Sequence, residues 1–282
     1  MVQLLMSSKN KRQVSFENTV MIGRQNMHMN KTQLEACFKT FNYTNVEIDE
    51  VYPNPNCYAE PLLKALGAKQ TDSLDASSYE NATIVHDMNE PIDSSLYNKY
   101  DVVLDSGTLE HVFNFPTAIK NCMQLTKDGG HFIGIYPANN FFGHGFYQFS
   151  SELFYRTFTP ENGFEICDVI LFVDESNTTF YSVPDTSEKF HRINYTNSKP
   201  VLMYILAKKT STTNILLKNP LQMDYSQMKW KGKPVKKQFN TKKKAKAVLP
   251  PYIKNIIKAL INKKPANDSI NFRKPFFTKY QL

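Results

Sequence analysis

The 282-residue chain has few cysteines and no long apolar run. Its four cysteines, Cys37, Cys57, Cys122 and Cys167, are far apart and form neither a CxxC pair nor a Cys/His cluster. This spacing argues against a disulfide framework and predicts no metal site. No apolar run approaches the ~20 residues of a membrane span, and residues 1–10 lack a signal-peptide core. We therefore expect a cytoplasmic protein without a transmembrane segment.

Acidic residues are nearly absent from the last quarter of the chain. From Lys208 onward there are 19 Lys and Arg residues but only two acids, Asp224 and Asp268, which gives a charge of +17. Because the whole chain carries +8, residues 1–207 carry −9. This division predicts an acidic domain at 1–207 followed by a basic extension at 208–282.

The first 207 residues alternate strand-like and helix-like patterns. Short β-branched or aromatic runs predict strands at 19–23, 70–75, 82–87, 101–105, 131–136, 164–173 and 201–207. Helical patterns lie at 32–41, 116–125 and 151–158. Strands alternating with helices indicate βαβ units. We predict an α/β fold with a Rossmann-like, doubly wound and mainly parallel seven-stranded sheet.

Three of the predicted strands end at an acid: Asp75, Asp87 and Asp105. In parallel sheets, ligands bind beyond the carboxyl ends of the strands, so these acids are expected at a ligand site outside the core. Aspartate also commonly terminates strands and caps helices, and this structural role is the alternative for each of them.

Residues 100–137, "YDVVLDSGTLEHVFNFPTAIKNCMQLTKDGGHFIGIYP", resemble a known family. The strand, the L-E-H-V turn and the helix that ends in K-D-G-G are similar to the fourth strand, helix and fifth strand of class I S-adenosylmethionine-dependent methyltransferases. The upstream segments "SLDAS" and "ATIVHDMNEPI" have the spacing of that family's second and third strands. The resemblance extends over about residues 18–207 and does not include the basic extension.

The resemblance implies S-adenosyl-L-methionine as the cofactor and assigns residues to it. Asp75, followed by Ala76, matches the acid that binds the ribose hydroxyls. Asp87, followed by Met88, matches the acid that accepts from the adenine amine. The cofactor-side wall corresponds to Asp105, Ser106 and Gly107. A carboxylate suits a diol because charge-assisted hydrogen bonds are about twice as strong as neutral ones.

The first strand departs from the family pattern. The family has an acid and several glycines there, whereas "TVMIGRQNMHMN" has Gly23 alone, followed by Arg24. Glycine allows close approach of backbone and cofactor, and Arg24 is a candidate for gripping the methionyl carboxylate. Alternatively, Arg24 pairs with Asp75 or Asp105 and the pocket holds no cofactor.

Methyl transfer to a hydroxyl requires a base near the fourth strand. His111 is the first candidate because imidazole titrates near neutrality, with Glu110 as its orienting group or replacement. His144 and Tyr147 are further candidates. The alternative for His111 is a histidine at the start of a helix that hydrogen-bonds to a neighbouring loop.

The segment "NNFFGHGFYQFS" is the predicted acceptor wall. Its polar members are Asn139, Asn140, His144, Tyr147 and Gln148, set among phenylalanines. Amides among aromatic rings suit a polyhydroxylated ligand, and the same mixture suits a stacked base. The alternative is a loop whose amides hydrogen-bond its own backbone.

The basic extension combines a lysine-rich stretch at 228–251 with an amphipathic helical pattern near 251–262. The first suggests an arm that contacts a polyanion, and the second a helix on an anionic membrane surface. The competing interpretation is a helix that packs back on the acidic domain.

Three hypotheses follow from the sequence. The first is an S-adenosylmethionine-dependent methyltransferase that acts on an oxygen of a sugar or another small polar metabolite. The second is an RNA methyltransferase that uses the basic extension to hold its substrate. The third is a methyltransferase-like scaffold without a donor site. Oligomeric state is undetermined by the sequence.

Overall fold

The computed structural model describes residues 1–173, 175, 179–185, 195–222, 271–272 and 278–282. The α-helices are α1 (Val2–Arg12), α2 (Lys31–Thr40), α3 (Ile48–Val51), α4 (Glu60–Ala65), α5 (Phe115–Leu125) and α6 (Ser151–Thr157). Within these described residues, three 3₁₀ turns lie at Ser94–Leu96, Leu109–His111 and Pro160–Asn162. The strands are β1 (Asn18–Ile22), β2 (Gln70–Asp75), β3 (Ile84–Val85), β4 (Tyr100–Asp105), β5 (Thr126–Asn139), β6 (Phe164–Val173), β7 (Tyr181–Ser182), β8 (Tyr195–Thr196), β9 (Val201–Lys209), β10 (Asn271–Phe272) and β11 (Thr278–Lys279).

One mixed sheet organises the described residues, in the order β11-β7-β6-β9-β5-β4-β1-β2-β3. The pairs β1–β2, β1–β4, β2–β3 and β4–β5 are parallel, whereas β9 runs antiparallel to both β5 and β6. This is a Rossmann-like α/β fold with a mostly parallel sheet, which confirms the predicted fold class. The prediction of seven strands omits β7 and β11, two short strands at one edge.

The strand order reverses between β1 and β4. The chain goes outward from β1 through β2 to β3, then crosses back and pairs β4 with the other side of β1. At such a reversal the connections leave in opposite directions and open a crevice beyond the carboxyl ends of the strands. The residues that end β1, β2, β3 and β4 therefore meet at one edge of the sheet.

Helices cover both faces of the sheet. Val102 and Leu104 of β4 point into an apolar layer shared with α1, α2 and α4, whereas Val103 points into the layer that contains α5 and α6. All three side chains are buried. Because side chains alternate along a strand, a continuous apolar run such as this one requires cover on both sides.

Three helices, α1, α3 and α4, have no counterpart in the sequence interpretation. The longest of them, α1, places Val2, Leu4, Leu5 and Met6 in the core. Its first residues reach the edge of the sheet where the carboxyl ends of β4 and β5 lie, so α1 contributes to the site described below.

The C-terminal residues return to the main sheet. Thr278 and Lys279 of β11 pair with β7, and Tyr280 donates its backbone N–H to the carbonyl of Phe180 at 2.8 Å. The predicted helix near 251–262 and the whole lysine-rich stretch at 228–251 lie outside the described residues. Within the described part of the chain, no helix is long and apolar enough to cross a membrane.

Candidate functional site

Gly23 follows β1 and has a positive φ of 69°. A Cβ atom at this position would lie 2.6 Å from Oγ1 of Thr108, a hydroxyl that donates to the carbonyl of Ile22 at 2.7 Å. This glycine is thus required by a contact within the chain, between the ends of β1 and β4.

Arg24 is held by neighbours that the sequence did not suggest. Its Nε donates to Oε1 of Glu60 at 2.7 Å, its Nη1 donates to the carbonyl of Glu80 at 2.8 Å, and the guanidinium stacks 3.9 Å from the ring centre of Tyr58. Neither Asp75 nor Asp105 is its partner, contrary to the second sequence interpretation. Arg24 fastens the loop after β2 to the end of β1.

Asp75 ends β2 with a partly exposed carboxylate, and Ala76 beside it is exposed. One carboxylate oxygen accepts from the N–H of Ser77 at 3.2 Å, and among the described residues no donor reaches the other oxygen. The main chain is fixed as well, because His86 donates its N–H to the Asp75 carbonyl at 2.8 Å. Asp75 therefore offers one carboxylate oxygen at the edge of the sheet.

Asp87 follows β3, next to Asp75 across the sheet, since Asp75 pairs with Val85. Its Oδ1 accepts from both the backbone and the side chain of Asn89, at 2.9 and 2.8 Å. These hydrogen bonds hold the pKa of the Asp87 carboxyl below its usual value. The carboxylate is exposed, whereas Met88 beside it is buried. Asp87 is a charged, outward-facing acceptor.

Asp105 occupies a different environment from the other two acids. It is completely buried, and its oxygens accept from the N–H groups of Thr108 and Leu109, at 3.0 and 3.2 Å, and from the hydroxyl of Tyr136 at 2.7 Å. Burial, reinforced by the charge of Glu110, raises its pKa to about 7. The sequence placed Asp105 outside the core, but the structure makes it the internal cap of the turn after β4.

A cleft of about 760 Å³ opens beyond the carboxyl ends of β4 and β5. This volume lies in the range of ligand pockets. Ser106 and Gly107 form its wall after β4, and Ser106 also donates its hydroxyl to Sδ of Met1 at 3.0 Å. Its other walls include Met1, Gln3, Met27, His28, Met29, Gln33, Glu110, Pro137, Phe141, His144, Phe172, Glu175 and Leu202. Asp75 and Asp87 lie outside this lining, on the neighbouring rim.

Three of the predicted catalytic side chains meet at this cleft. Oε1 of Glu110 lies 3.6 Å from Nε2 of His144 and 4.0 Å from Nε2 of His111. The two imidazole rings are edge to face, with their centres 5.0 Å apart. Both rings are about half exposed, whereas the side chain of Glu110 is 2% exposed. The sequence predicted no metal site, but these three groups have the composition of one.

Burial shifts the protonation of this cluster. It raises the pKa of the Glu110 carboxyl to about 7, because the charged form is poorly solvated there. It lowers the pKa of His111, to which the charge of His144 adds. Shifted pKa values such as those of Glu110 and His111 are common among groups at functional sites.

The fourth catalytic candidate and the predicted acceptor wall are mostly satisfied internally. The Tyr147 hydroxyl donates to the carbonyl of Phe113 at 2.7 Å. Asn139 and Asn140 both donate to the side chain of Asn197, and Gln148 accepts from the N–H of Phe141 at 2.8 Å. These contacts match the alternative interpretation, in which the polar groups organise the loop itself. His144 and Phe141 are the members of this segment that line the cleft.

The sequence interpretation missed the wall opposite β4. Met27, His28 and Met29 line the cleft together with the first residues of α1. The only signal for them was the "MHMN" repeat after Gly23, which is too short to distinguish a strand from a loop. Met1 and Gln3 carried no signal at all, because α1 itself was not predicted.

Comparison with known proteins gives only structural likenesses. No family model and no curated protein matches the chain. A SAM-dependent methyltransferase from Thermotoga maritima is similar, with 15% identity over 74% of this chain and 89% of that one, at a TM-score of 0.38. TehB from Haemophilus influenzae is 14% identical over 73% of this chain and 61% of that one, at a TM-score of 0.37.

A third likeness is to the branched-chain polyamine synthase from Thermus thermophilus, in complex with N4-aminopropylspermidine and 5′-methylthioadenosine. It is 12% identical over 78% of this chain and 60% of that one, at a TM-score of 0.38. Likenesses at this identity and TM-score carry no inference about function. The fold assignment stands on the strand order and register of this chain.

Proposed function

We propose that this chain is an S-adenosylmethionine-dependent methyltransferase that acts on an oxygen of a small polar acceptor. One observation carries the proposal: Asp75 and Asp87 follow two adjacent parallel strands at the same edge of the sheet as the cleft, which opens beyond the carboxyl ends of β4 and β5. Ligands of doubly wound folds bind at this position.

The two exposed acids fit the adenosyl half of the cofactor. Asp75 has one carboxylate oxygen without a donor among the described residues, which suits a ribose hydroxyl. Asp87 keeps its negative charge through the hydrogen bonds from Asn89, which suits an amine donor on adenine. Both sites offer the charge-assisted hydrogen bonds that the resemblance implies.

For the methionyl half, the proposal drops Arg24 and keeps two residues that the sequence assigned to the cofactor-side wall, Ser106 and Gly107. Arg24 is occupied by Glu60, Glu80 and Tyr58, so it is not assigned to the carboxylate. Ser106 and Gly107 line the cleft on its β4 side and are the residues proposed to contact this part of the cofactor. Asp105, which is buried, supports them by capping the turn that follows.

The cleft provides for the acceptor. When bound, S-adenosylmethionine supplies an electrophilic methyl group on a sulfonium sulfur. The chain contributes mainly alignment, an effect that can be worth about 7–11 kcal/mol. Phe141 and the methionines give the cleft an apolar wall on which the CH face of a sugar can lie. Glu110, with its pKa near 7, is placed to take the proton of an acceptor hydroxyl.

Calorimetry with S-adenosylmethionine and with S-adenosylhomocysteine tests the cofactor site. We expect both to bind the full chain, and Asp87→Ala to weaken the binding of both, because the substitution removes a charged hydrogen-bond acceptor. Asp93→Ala is the matched control, because Asp93 is also an exposed aspartate that caps its own loop, through Ser95. Its substitution should leave cofactor affinity unchanged.

The outcome that removes the proposal is a folded protein that gives no binding heat with either compound up to millimolar concentration. Equal loss of affinity in the Asp87 and Asp93 variants would show that the effect is not local to the rim. If both compounds bind, incubation with labelled S-adenosylmethionine and a panel of sugars and other hydroxylated metabolites identifies the acceptor class.

A further inference from the structure

The side chains of Glu110, His111 and His144 form a compact cluster at the mouth of the cleft. One ligand-type atom from each lies within 4.8 Å of the others, and the two closest approaches to Oε1 of Glu110 are 3.6 and 4.0 Å. Donor atoms bound to one zinc ion at about 2.1 Å lie roughly 3.0–3.4 Å apart. Side-chain rotations that move each donor atom by less than about 1 Å would therefore allow all three side chains to bind one ion.

A second observation, independent of these distances, indicates that the Glu110 carboxylate lacks a partner. Its Oε2 is buried and has no hydrogen-bond partner among the described residues, and its side chain is 2% exposed. An unpaired buried carboxylate oxygen is costly, and native structures rarely keep one without an ion, a water or a functional role. A cation bound by both carboxylate oxygens of Glu110 would satisfy it.

The backbone holds Glu110 in place from two directions. It lies in the 3₁₀ turn Leu109–His111, and its carbonyl accepts from the N–H groups of Phe146 and Tyr147, at 2.8 and 3.2 Å. These hydrogen bonds fasten the loop that contains His144 to the turn that contains His111. The three side chains thus come from two segments that are fixed to each other.

Gly145 permits this contact. A Cβ atom there would lie 2.8 Å from the carbonyl oxygen of Glu110 and 3.1 Å from its Cγ, and the φ of 70° also favours glycine. Any larger residue would move the loop away from Glu110 and take His144 with it. The close approach of loop and turn is therefore built into the sequence.

The donor set selects the kind of metal. Two imidazoles and one carboxylate suit first-row transition ions, and the same set with open positions is known for iron and zinc sites. Magnesium and calcium prefer oxygen ligands. Because both imidazoles are about half exposed, and because Glu110 and His144 line the cleft, the remaining coordination positions would face its interior.

We propose that Glu110, His111 and His144 bind a single divalent transition-metal ion, of which Zn²⁺ is the representative, with open coordination positions directed into the cleft. The binding site stands on the three side chains alone. In catalysis the ion would polarise an acceptor oxygen and ease loss of its proton, which would replace the role of Glu110 as the base. This use rests on the methyltransferase function proposed above.

Metal binding can be measured without any activity. The full chain is stripped with a chelator and titrated with Zn²⁺ by calorimetry, and with Co²⁺ by its visible absorption. We expect one equivalent to bind, and Mg²⁺ to bind far more weakly. Loss of a residue that only hydrogen-bonds to a metal ligand typically weakens metal binding about 10- to 100-fold. His111→Ala and His144→Ala each remove a ligand, so each should weaken Zn²⁺ binding by more than that.

The variants are chosen so that failure to fold does not obscure the result. Both histidines are about half exposed, so their replacement leaves the core intact, as a thermal melt of the metal-free variants can verify. His28→Ala is the matched control, because His28 lines the same cleft but lies outside the cluster. Its Zn²⁺ affinity should equal that of the unaltered chain.

Gly145→Ala gives a second test, in which no ligand is removed. It should weaken Zn²⁺ binding by displacing His144, and Gly143→Ala, where a Cβ meets nothing within 4 Å, should have a smaller effect. The proposal is overturned if the folded, stripped chain binds neither Zn²⁺ nor Co²⁺, or if binding persists in both histidine variants. Preference for Mg²⁺ over Zn²⁺ would also overturn it.

The cofactor titration separates this inference from the proposed function. Binding of S-adenosylhomocysteine without Zn²⁺ binding would refute the metal site and leave the methyltransferase proposal standing. Zn²⁺ binding without any cofactor binding would refute the methyltransferase proposal and its use of the ion, and leave the metal site standing.

Discussion

Gly23 shows how one residue type can be required for two different reasons. In the family that the sequence resembles, glycine after the first strand makes room for a cofactor. In this chain the space beside Gly23 is taken by Thr108, whose Oγ1 would lie 2.6 Å from an added Cβ. Glycine is therefore required at position 23 even when no ligand is bound. The effect of replacing it can be measured as a change in the free energy of unfolding.

Gly23→Ala should lower the free energy of unfolding through both its positive φ and the collision with Thr108. The left-handed backbone alone costs about 1–2 kcal/mol for a residue with a Cβ, and overpacking adds about 1–3 kcal/mol. Gly129→Ala isolates the first contribution, because Gly129 has a φ of 81° and nothing within 4 Å of its added Cβ. Urea unfolding of both variants measures the difference.

Thr108→Ala provides the second control for this prediction. It removes the atom that collides, so the double variant Gly23→Ala/Thr108→Ala should lose less stability than the sum of the two single variants. Equal losses in Gly23→Ala and Gly129→Ala, or strict additivity in the double variant, would contradict the close contact.

His131, a residue of the sheet, should make the free energy of unfolding depend on pH. It is buried in β5 beside Lys208, and burial together with that positive charge lowers its pKa to about 4, against a smaller opposing effect of Asp101. The unfolded chain, with an ordinary histidine pKa of about 6.5, binds more protons between these values. The free energy of unfolding should therefore fall as the pH falls from about 6.5 to about 4, at most about 1.4 kcal/mol per pH unit.

His131→Phe removes this contribution because phenylalanine does not titrate. Urea unfolding of both proteins across this pH range should show that the original chain loses stability relative to the variant as the pH falls from about 6.5 to about 4. Parallel curves would show that His131 is solvated or paired in a way that the structure does not contain.

The element scale shows what local patterns could and could not predict. The segment 164–173 was predicted with the bounds that the structure has, because a run rich in apolar residues and bounded by turn residues identifies a strand well. The bounds of 70–75 were also correct, although Leu74 is its single apolar residue. Helix α1 was missed because its sequence, "VQLLMSSKNKR", has only a short apolar face followed by polar residues. Its Ser8 is nevertheless buried, with its hydroxyl 2.6 Å from that of Tyr204, a partner 196 residues away.

Arg12 fastens α1 to the sheet. Its Nε and Nη2 lie 2.8 and 2.7 Å from the two carboxylate oxygens of Asp168 in β6, and Asp168 is largely buried. Arg12→Ala should lower the free energy of unfolding by about 1–3 kcal/mol, because it leaves a buried carboxylate without its donor. Arg12→Lys should recover only part of this loss, since lysine cannot make the paired contact.

A double variant tests the cause of that loss. Arg12→Ala combined with Asp168→Asn removes the unpaired charge, and it should be more stable than Arg12→Ala alone. Lys69→Ala, which breaks an exposed pair with Glu17, serves as the surface control and should change the free energy of unfolding little. If the Arg12 and Lys69 variants are equally stable, the pair to Asp168 does not fasten α1.

At the scale of the whole molecule, the site contains contacts between distant segments, and the sequence patterns could not predict all of these contacts. The acids of the rim were predictable, because Asp75 and Asp87 follow strands. The meeting of Glu110 with His144 was not, because it depends on how the loop after β5 folds back over the turn after β4. Sequence spacing indicates neither that contact nor the entry of α1 into the cleft.

The two ends of the chain also meet, and this contact can be tested directly. Tyr280 follows β11, packs against the apolar layer that contains α1, and donates its N–H to Phe180, while the carbonyl of Gln281 accepts from Nζ of Lys11 at 3.0 Å. Tyr280→Ala should therefore lower the free energy of unfolding by about 1–3 kcal/mol, the range of partial core truncation. Tyr79→Ala, at a tyrosine that is 90% exposed, should change it by less than about 0.5 kcal/mol. Urea unfolding compares the two, and an equal effect would mean that the C-terminal residues do not stabilise the domain in solution.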